Sequence, residues 1–276
     1  MNIIELPVLG GEVPVSDASD NEWSADEEDE VMKTVAVSVE PIIAAALAEP
    51  IPAPKKIITE DLGLIFEMAI CLLYGIKYNG TFKYSLAAAH KLKDRLGKFK
   101  DIFPYELNHT AAKGHQYDFT GLVDTSIKLS AKTTKEDGKV CPQLIGQATK
   151  KKFRAYFGLD LAATDEHIKK YIEENVNTML TKYDECTFDC PIIYYNEKKN
   201  KVQFIRKIGI IDWDKYKIDF THITKNKTWN ESSSISIGAT PIGEFQVHAH
   251  RNCIKFRWGF EKFLPFFKEA FEIVDL

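Results

Sequence analysis

Apolar residues recur at helical spacing in three segments of the chain. Residues 62–74 are apolar on nearly every side, which predicts a buried helix. We expect Thr59 to cap its first turn and Gly75 to end it. Residues 84–99 gather their cations on one side and predict a second helix, and residues 164–183 predict a third, which begins at a capping threonine.

Alternation of apolar and polar residues predicts two hairpins in the second half of the chain. The first joins residues 191–195 to residues 201–211. The second covers residues 242–258, and residues 226–234 between the hairpins are polar and predict a loop. One face of the second hairpin displays Glu244, Gln246, His248 and His250, with Lys255 and Arg257 on the returning strand. Two histidines on one face suggest a metal site, but the sequence indicates no third ligand.

Residues 118–132 predict a shorter hairpin that turns at residues 124–126. In that register Asp118 faces Lys132, and facing residues of an antiparallel pair have Cβ atoms ~5 Å apart. Ser130 lies two residues before Lys132, so both point to the same face. A divalent metal, a water and a phosphate could meet at this end of the hairpin, although an ordinary surface salt bridge would have the same pattern.

This hairpin resembles the PD-(D/E)XK core of many type II restriction endonucleases, where an Asp starts one strand and an acid-x-Lys tripeptide ends the next. The resemblance implies an α/β (α+β) fold like that of the restriction endonucleases, with a mixed central sheet flanked by helices. It makes Asp118 the first acid and Lys132 the catalytic lysine. Ser130 stands where the family has Asp or Glu, which removes one metal ligand.

Glu67 lies inside the first predicted helix, and a buried carboxylate is costly unless it is paired or bound to metal. In several restriction enzymes a helix before the catalytic strands supplies an extra acid. We therefore predict Asp118, Ser130, Lys132 and Glu67 as catalytic residues. Asp118, Asp124 and Glu67 are the predicted ligands of Mg²⁺, a hard cation that prefers oxygen. The alternative for Glu67 is an ion pair with a nearby lysine.

A basic helix is predicted after the hairpin, with Pro142 at its first position. Gln143 and Gln147 are four residues apart and would share one face, although a solvated amphipathic helix would be equally basic. Glutamine and arginine suit base edges, and lysine suits phosphates. The predicted DNA-binding residues are Gln143, Gln147, Lys150, Lys151, Arg154, Gln246, His248, Lys255 and Arg257.

Charge divides the 276-residue chain into two parts, although the net charge is only −4. Residues 1–56 hold twelve acids and three lysines, a net of −9, and their prolines and alanines predict a disordered acidic tail. Residues 57–276 hold 33 cations and 28 acids, a net of +5, and predict the nuclease-like domain. A mildly basic body behind an acidic arm is typical of proteins that handle polyanions.

Five scattered cysteines without Cys-x-x-Cys spacing predict reduced thiols and make a cysteine zinc site unfavourable. The chain shows no secretory signal and no apolar run of ~18 residues. We therefore expect an intracellular protein without a membrane partner, cytoplasmic, or nuclear or viral in a eukaryotic host.

The sequence thus predicts a Mg²⁺-dependent endonuclease that cuts double-stranded DNA, and the resemblance implies a homodimer acting at specific sites. Two alternatives stay open. One is a non-catalytic DNA-binding or viral accessory protein that retained the fold, which Ser130 favours. The other is a nuclease directed at RNA. Metal binding near Asp118 distinguishes an enzyme from a binder.

Overall fold

The structure, a computed structural model, describes residues 58–111, 115–136, 138–226 and 228–276. The predicted tail, residues 1–56, lies outside these ranges. Within them the chain forms two β-sheets and seven α-helices. No helix in the described ranges is long and apolar enough to cross a membrane.

The first sheet has six strands and is mixed, because β3 and β6 pair in parallel while the other neighbours are antiparallel. In spatial order the strands are β1 (Leu107–His109), β2 (Phe119–Gly121), β3 (Lys128–Thr134), β6 (Ile192–Asn196), β7 (Lys201–Lys207) and β12 (Phe271–Asp275). A mixed sheet flanked by helices confirms the predicted fold class.

The second sheet is antiparallel and was predicted only as its central hairpin. In order its strands are β4 (Lys139–Val140), β11 (Cys253–Gly259), β10 (Thr240–Val247), β9 (Ser232–Ile237) and β8 (Asp219–Phe220), with β5 (Gln147–Thr149) also paired to β11. Along β11 buried and half-buried residues alternate, as the hydrophobic pattern predicts. The predicted loop at residues 226–234 is wrong at its end, where β9 begins.

The helices follow the predicted segments with different ends. They are α1 (Thr59–Tyr74), α2 (Leu86–Arg95), α3 (Phe99–Ile102), α4 (Lys150–Phe157), α5 (Asp165–Glu174), α6 (Val176–Thr187) and α7 (Phe260–Phe266). Gly75 ends α1 in the left-handed region at φ 68°, as predicted, but the N-cap is Ile58. Thr164 caps α5 as predicted, and Asn175 separates α5 from α6.

β6 lies between two hydrophobic cores, and all five of its residues are buried. Ile192 and Tyr194 join the core formed with the second sheet and helices α4–α7. Ile193 and Tyr195 face the other way, into the core beneath α1 and α2. Because successive side chains of a strand point to opposite faces, one strand anchors both layers.

The basic helix predicted from Pro142 is wrong over its first half. The chain turns so tightly there that a Cβ on Gly146 would lie 2.2 Å from the carbonyl oxygen of Pro142. The next residues form β5 on β11, and α4 starts only at Lys150, where Thr149 accepts a hydrogen bond from the Lys152 amide. Gln143 and Gln147 therefore share no helix face.

Candidate active site

The hairpin of β2 and β3 forms as predicted, but in a register shifted by two residues. Phe119 pairs with Leu129, which sets Asp118 opposite Ser130, so the predicted pairing of Asp118 with Lys132 is wrong. A shift of two residues does not change the face, because strand side chains alternate with period two. Asp118 and Lys132 therefore still share one side of the hairpin.

Asp118 is held in place by β3. Its Oδ2 accepts hydrogen bonds from the Ser130 hydroxyl (2.9 Å) and from the Ala131 amide (2.7 Å). Ser130 is fully buried, so this contact is shielded from solvent. A carboxylate at position 130 would put a like charge against Asp118, whereas the serine hydroxyl donates to it. Within the described residues, no hydrogen bond occupies the other oxygen, Oδ1.

Glu67 on α1 is brought to the same place by the packing of α1 on β3. Its side chain is 12% exposed. Burial raises the pKa of Glu67, a hydrogen bond from His109 and the charge of Lys132 lower it, and the negative charge of Asp118 raises it further. The structure thus gathers Glu67, Asp118 and Lys132 within electrostatic reach of one another. The partner of Glu67 is a histidine, and not the lysine of the alternative interpretation.

His109 on β1 is part of this cluster, and the sequence did not predict it as a site residue. Its Nδ1 accepts a hydrogen bond from the Asn79 amide (2.9 Å), so the ring proton lies on Nε2 and is donated to Glu67 Oε2 (3.1 Å). The ring is 1% exposed and stacks on Tyr78 at 4.3 Å. A lone histidine in a three-residue strand has no periodic signal by which a sequence could reveal it.

A cavity of about 690 Å³ opens beside His109. It is lined by Lys77, Tyr78, Asn79, Gly80, His109, Thr110 and His115. Its volume lies in the range typical of ligand pockets, ~300–1,000 Å³. The buried Glu67–His109 pair therefore lies next to a space that a small polar group can enter.

Asp124 lies at the tip of the hairpin, at the opposite end from Asp118. It is exposed, and its Oδ1 accepts a hydrogen bond from the Ser126 amide (2.9 Å). The hydrogen bonds from Ser126 lower the pKa of Asp124. The whole of β2, three residues that span ~10 Å, lies between the two positions. The structure does not bring Asp124 together with Glu67 and Asp118.

The predicted DNA-binding residues after the hairpin have unequal surroundings. Gln147 and Lys151 are exposed. Lys150 forms an ion pair with Asp165 (2.8 Å). Arg154 on α4 is half-buried, and its Nε is buried without a hydrogen bond to the described residues. Of these four, Gln147 and Lys151 are the side chains open to a ligand.

Gln143 is the exception, because it points inward. It is 6% exposed, and its amide nitrogen and oxygen pair with no nitrogen or oxygen of the described residues. It lies against the Cys190 thiol. Burial and the charge of Asp189 raise the pKa of Cys190 to about 12, while Gln143 and Lys132 lower it. Gln143 thus belongs to the wall beside Lys132 and not to an exposed DNA-facing helix.

Glu244 in β10 holds two of the side chains that were predicted to read bases. It is 6% exposed and accepts hydrogen bonds from Arg257 (3.1 Å) and Gln246 (2.8 Å). It also forms an ion pair with Lys139 (2.7 Å). Burial would raise the pKa of Glu244, but these hydrogen bonds and positive charges outweigh it, so the pKa is lowered. Arg257 and Gln246 are therefore already partnered within the sheet.

Lys255 on β11 differs from Arg257 because its ammonium group remains available to a ligand. It pairs across the strands with Gln246 and Gln147 and forms no ion pair with a described residue. Burial raises the pKa of the Cys141 thiol, and the charges of Lys255, Arg257 and Lys132 lower it. Cys141 is therefore within electrostatic reach of the cations of the second sheet and of the lysine of the candidate active site.

His248 lies just beyond the end of β10, so it is not part of the strand face predicted to bind DNA. Its ring contacts the carboxylate of Glu231, 3.0 Å from Nδ1 to Oε2.

Comparison with known proteins identifies a relative among the type II restriction enzymes. None of the protein-family models matches the sequence, and no solved structure matches it. The chain is 45% identical over 221 residues to the type II restriction enzyme CviAII of Paramecium bursaria Chlorella virus 1. The match covers 80% of this chain and 64% of that enzyme, so the chain spans less than two thirds of its relative. This similarity confirms the resemblance to type II restriction endonucleases that the hairpin of residues 118–132 predicts.

Proposed function

We propose that this protein is a Mg²⁺-dependent endonuclease that hydrolyses phosphodiester bonds at specific sites in double-stranded DNA. The observation that carries the proposal is the convergence of Glu67, Asp118 and Lys132 beside the middle of β3. Two carboxylates and an ammonium from three separate elements are the charges that metal-assisted phosphodiester hydrolysis requires. The similarity to a type II restriction enzyme supports the same reaction.

The two carboxylates suit a hard cation. Asp118 keeps one oxygen without a hydrogen bond from the described residues, and Glu67 lies close enough for the charge of Asp118 to raise its pKa. Mg²⁺ selects oxygen ligands of this kind. Asp118 and Glu67 would hold it, and when bound it would polarise the phosphate and acidify a water.

Ser130 then has a positioning role. Its hydroxyl and the Ala131 amide fix one Asp118 oxygen, which orients the other toward a ligand. Glu67 supplies from α1 the second carboxylate that the hairpin lacks at position 130. His109, fixed by Asn79, donates its Nε2 proton to Glu67 and keeps that carboxylate oriented.

Lys132 is available for the reacting phosphate. The residue is half-buried, and its ammonium group forms no hydrogen bond or ion pair with a described residue. Its ammonium can orient the attacking water or stabilise charge that develops on the phosphate oxygens. Lys255, whose charge lowers the pKa of the Cys141 thiol as that of Lys132 does, would bind the DNA backbone.

Cleavage of plasmid DNA in Mg²⁺, with EDTA as the control, tests the proposal directly. We expect discrete fragments whose ends map to one short sequence. Binding to DNA without cleavage in Mg²⁺ or Mn²⁺ would instead favour the non-catalytic alternative. Cleavage of RNA but not of duplex DNA would favour an RNA nuclease.

Asp118→Asn should abolish both Mn²⁺ binding and cleavage, because it removes a ligand charge. Asp124→Asn is the matched control in the same hairpin, and it should retain both. Calorimetric Mn²⁺ titration and plasmid cleavage measure the two effects. Equal losses in the two variants would contradict the assignment of the metal to the Asp118 end.

Lys132→Ala should abolish detectable cleavage while DNA affinity is retained, because the lysine acts on the reacting phosphate. Loss of one electrostatic donor typically costs ~10²–10³-fold in rate. Lys198→Ala, which removes an exposed lysine of the β6–β7 turn, is the control. A Lys132→Ala rate within a few-fold of wild type would remove this residue from the proposed mechanism.

Glu67→Gln should raise the melting temperature of the metal-free protein at neutral pH. Burial raises the pKa of Glu67, so its ionised form costs stability above that pKa, and a neutral amide avoids the cost. At a pH below the ordinary pKa of a glutamate, the Glu67 carboxyl is protonated in both the folded and the unfolded chain. The rise in melting temperature should then vanish. Mg²⁺ should stabilise the wild type but not the variant. Thermal melts at two pH values, with and without Mg²⁺, measure this, and a lower neutral-pH melting temperature for the variant is the contrary result.

Lys255→Ala should weaken DNA binding similarly on all sequences and flatten the salt dependence by ~1 in log–log slope. Arg257→Ala should instead lower the melting temperature, because it leaves the buried Glu244 with one partner fewer. Binding isotherms at several salt concentrations, together with thermal melts, separate the two effects. An unchanged salt slope in Lys255→Ala would exclude its contact with phosphate.

A further inference from the structure

We propose that Glu231, His248 and His250 form a binding site for a divalent transition-metal ion, with Zn²⁺ as the best match. The Nδ1 atom of His248 lies 3.0 Å from Glu231 Oε2, and Nδ1 of His250 lies 3.5 Å from Glu231 Oε1. One ligand atom from each residue lies within 4.8 Å of the other two. The sequence indicated the two histidines, and the fold supplies the third ligand.

These separations suit a tetrahedral ion. With metal–ligand bonds of about 2.0–2.1 Å, two ligands of a tetrahedral site lie ~3.3 Å apart. The contacts of His248 and His250, at 3.0 and 3.5 Å, are close to that value, and each histidine faces a different oxygen of Glu231. One ligand atom from each residue lies within 4.8 Å of the other two, so side-chain rotations would close the three ligands on an ion, and the fourth position is left to a water.

The backbone fixes the ligands in place before any ion binds. Glu231 precedes β9, where Ser232 pairs with Gln246 of β10. The next hydrogen bond runs from the Val247 amide to the Glu231 carbonyl (2.8 Å), which sets Glu231 beside His248. The pairing of β9 with β10 therefore brings Glu231 to the two histidines across the sheet.

His248 itself is short of partners. Its side chain is 11% exposed. Both ring nitrogens are buried and neither makes a hydrogen bond within the described residues, although Nδ1 is close to Glu231. A buried polar group without a hydrogen bond is uncommon and calls for an explanation. A metal ion bonded to His248 would supply the missing partner.

The donor set indicates which ion binds. Two imidazoles and one carboxylate suit Zn²⁺ and its neighbours in the first transition row, whereas Mg²⁺ and Ca²⁺ select oxygen. The site is therefore chemically different from the pair Glu67 and Asp118, whose donor atoms are carboxylate oxygens. Zn²⁺ and Mg²⁺ would distribute between the two sites by ligand type.

An ion here would brace the turn between β10 and β11. The Arg251 amide closes that turn on the His248 carbonyl (3.3 Å), and the Lys150 amide at the start of α4 bonds the Asn252 carbonyl (3.1 Å). The following strand, β11, carries Lys255. The ion would thus tie the turn to the start of β9 and hold β11 and α4 in their relative position.

Calorimetric titration of the chelator-treated full-length protein with ZnCl₂ tests the site. We expect wild type to bind one equivalent that His250→Ala and Glu231→Gln lose. Removal of a direct ligand should cost more than the ~10–100-fold loss in affinity that is typical when a residue that only orients a ligand is replaced. His250 is 62% exposed, so its replacement should leave the fold intact even if His248→Ala proves unstable.

Two control variants locate the ion. His90→Ala removes an exposed histidine of α2 and should bind Zn²⁺ as wild type does. Asp118→Asn should also retain it, because Asp118 belongs to the other site. Co²⁺ bound to wild type should show the visible absorption of a tetrahedral complex, and His250→Ala should not. Equal Zn²⁺ affinity in wild type and His250→Ala, or loss of binding in Asp118→Asn alone, would overturn the proposal.

Discussion

The parallel pairing of β3 with β6 is the constraint on which the remaining structure depends. Parallel strands cannot be joined by a tight turn, so the chain must leave the sheet and return between them. That connection carries β4, β5 and helices α4–α6. Ser130 pairs with Ile192 and Lys132 with Tyr194, so the two candidate catalytic positions on β3 lie beside the strand buried on both faces.

This arrangement explains how distant segments meet at one site. The start of β2 places Asp118 opposite Ser130, and α1 packs on β3, where a Cβ on Gly63 would be in van der Waals contact with the Thr133 hydroxyl at 3.7 Å. This packing brings Glu67 within electrostatic reach of Asp118 and Lys132. A serine at the expected acidic position is then compatible with two carboxylates at the site, since the second comes from the helix.

Internal ion pairs decide which cations remain for an anionic partner. Asp165 holds Lys150, and Glu244 holds Arg257 and Lys139. Because a buried carboxylate such as Glu244 needs these partners, the sheet uses them for its own stability. Lys132 and Lys255 form no ion pair with a described residue, and the charges of both lower the pKa of the Cys141 thiol. These two lysines therefore remain available to an anionic partner.

The sequence by itself determined the local elements, because their signals lie within a few residues. The apolar helix ended by Gly75, the cap at Thr164, the alternation along β11 and the hairpin with Asp118 and Lys132 on one face all follow from such signals. Only the tertiary structure decided the pairing of Asp118 with Ser130, the burial of Gln143, the His109–Glu67 contact and the approach of Glu231 to His248. The physical reason is that these contacts join segments between 12 and 42 residues apart, or depend on which segment packs over a residue. The pairing of residues 147–149 with β11, where a helix was predicted, has the same cause.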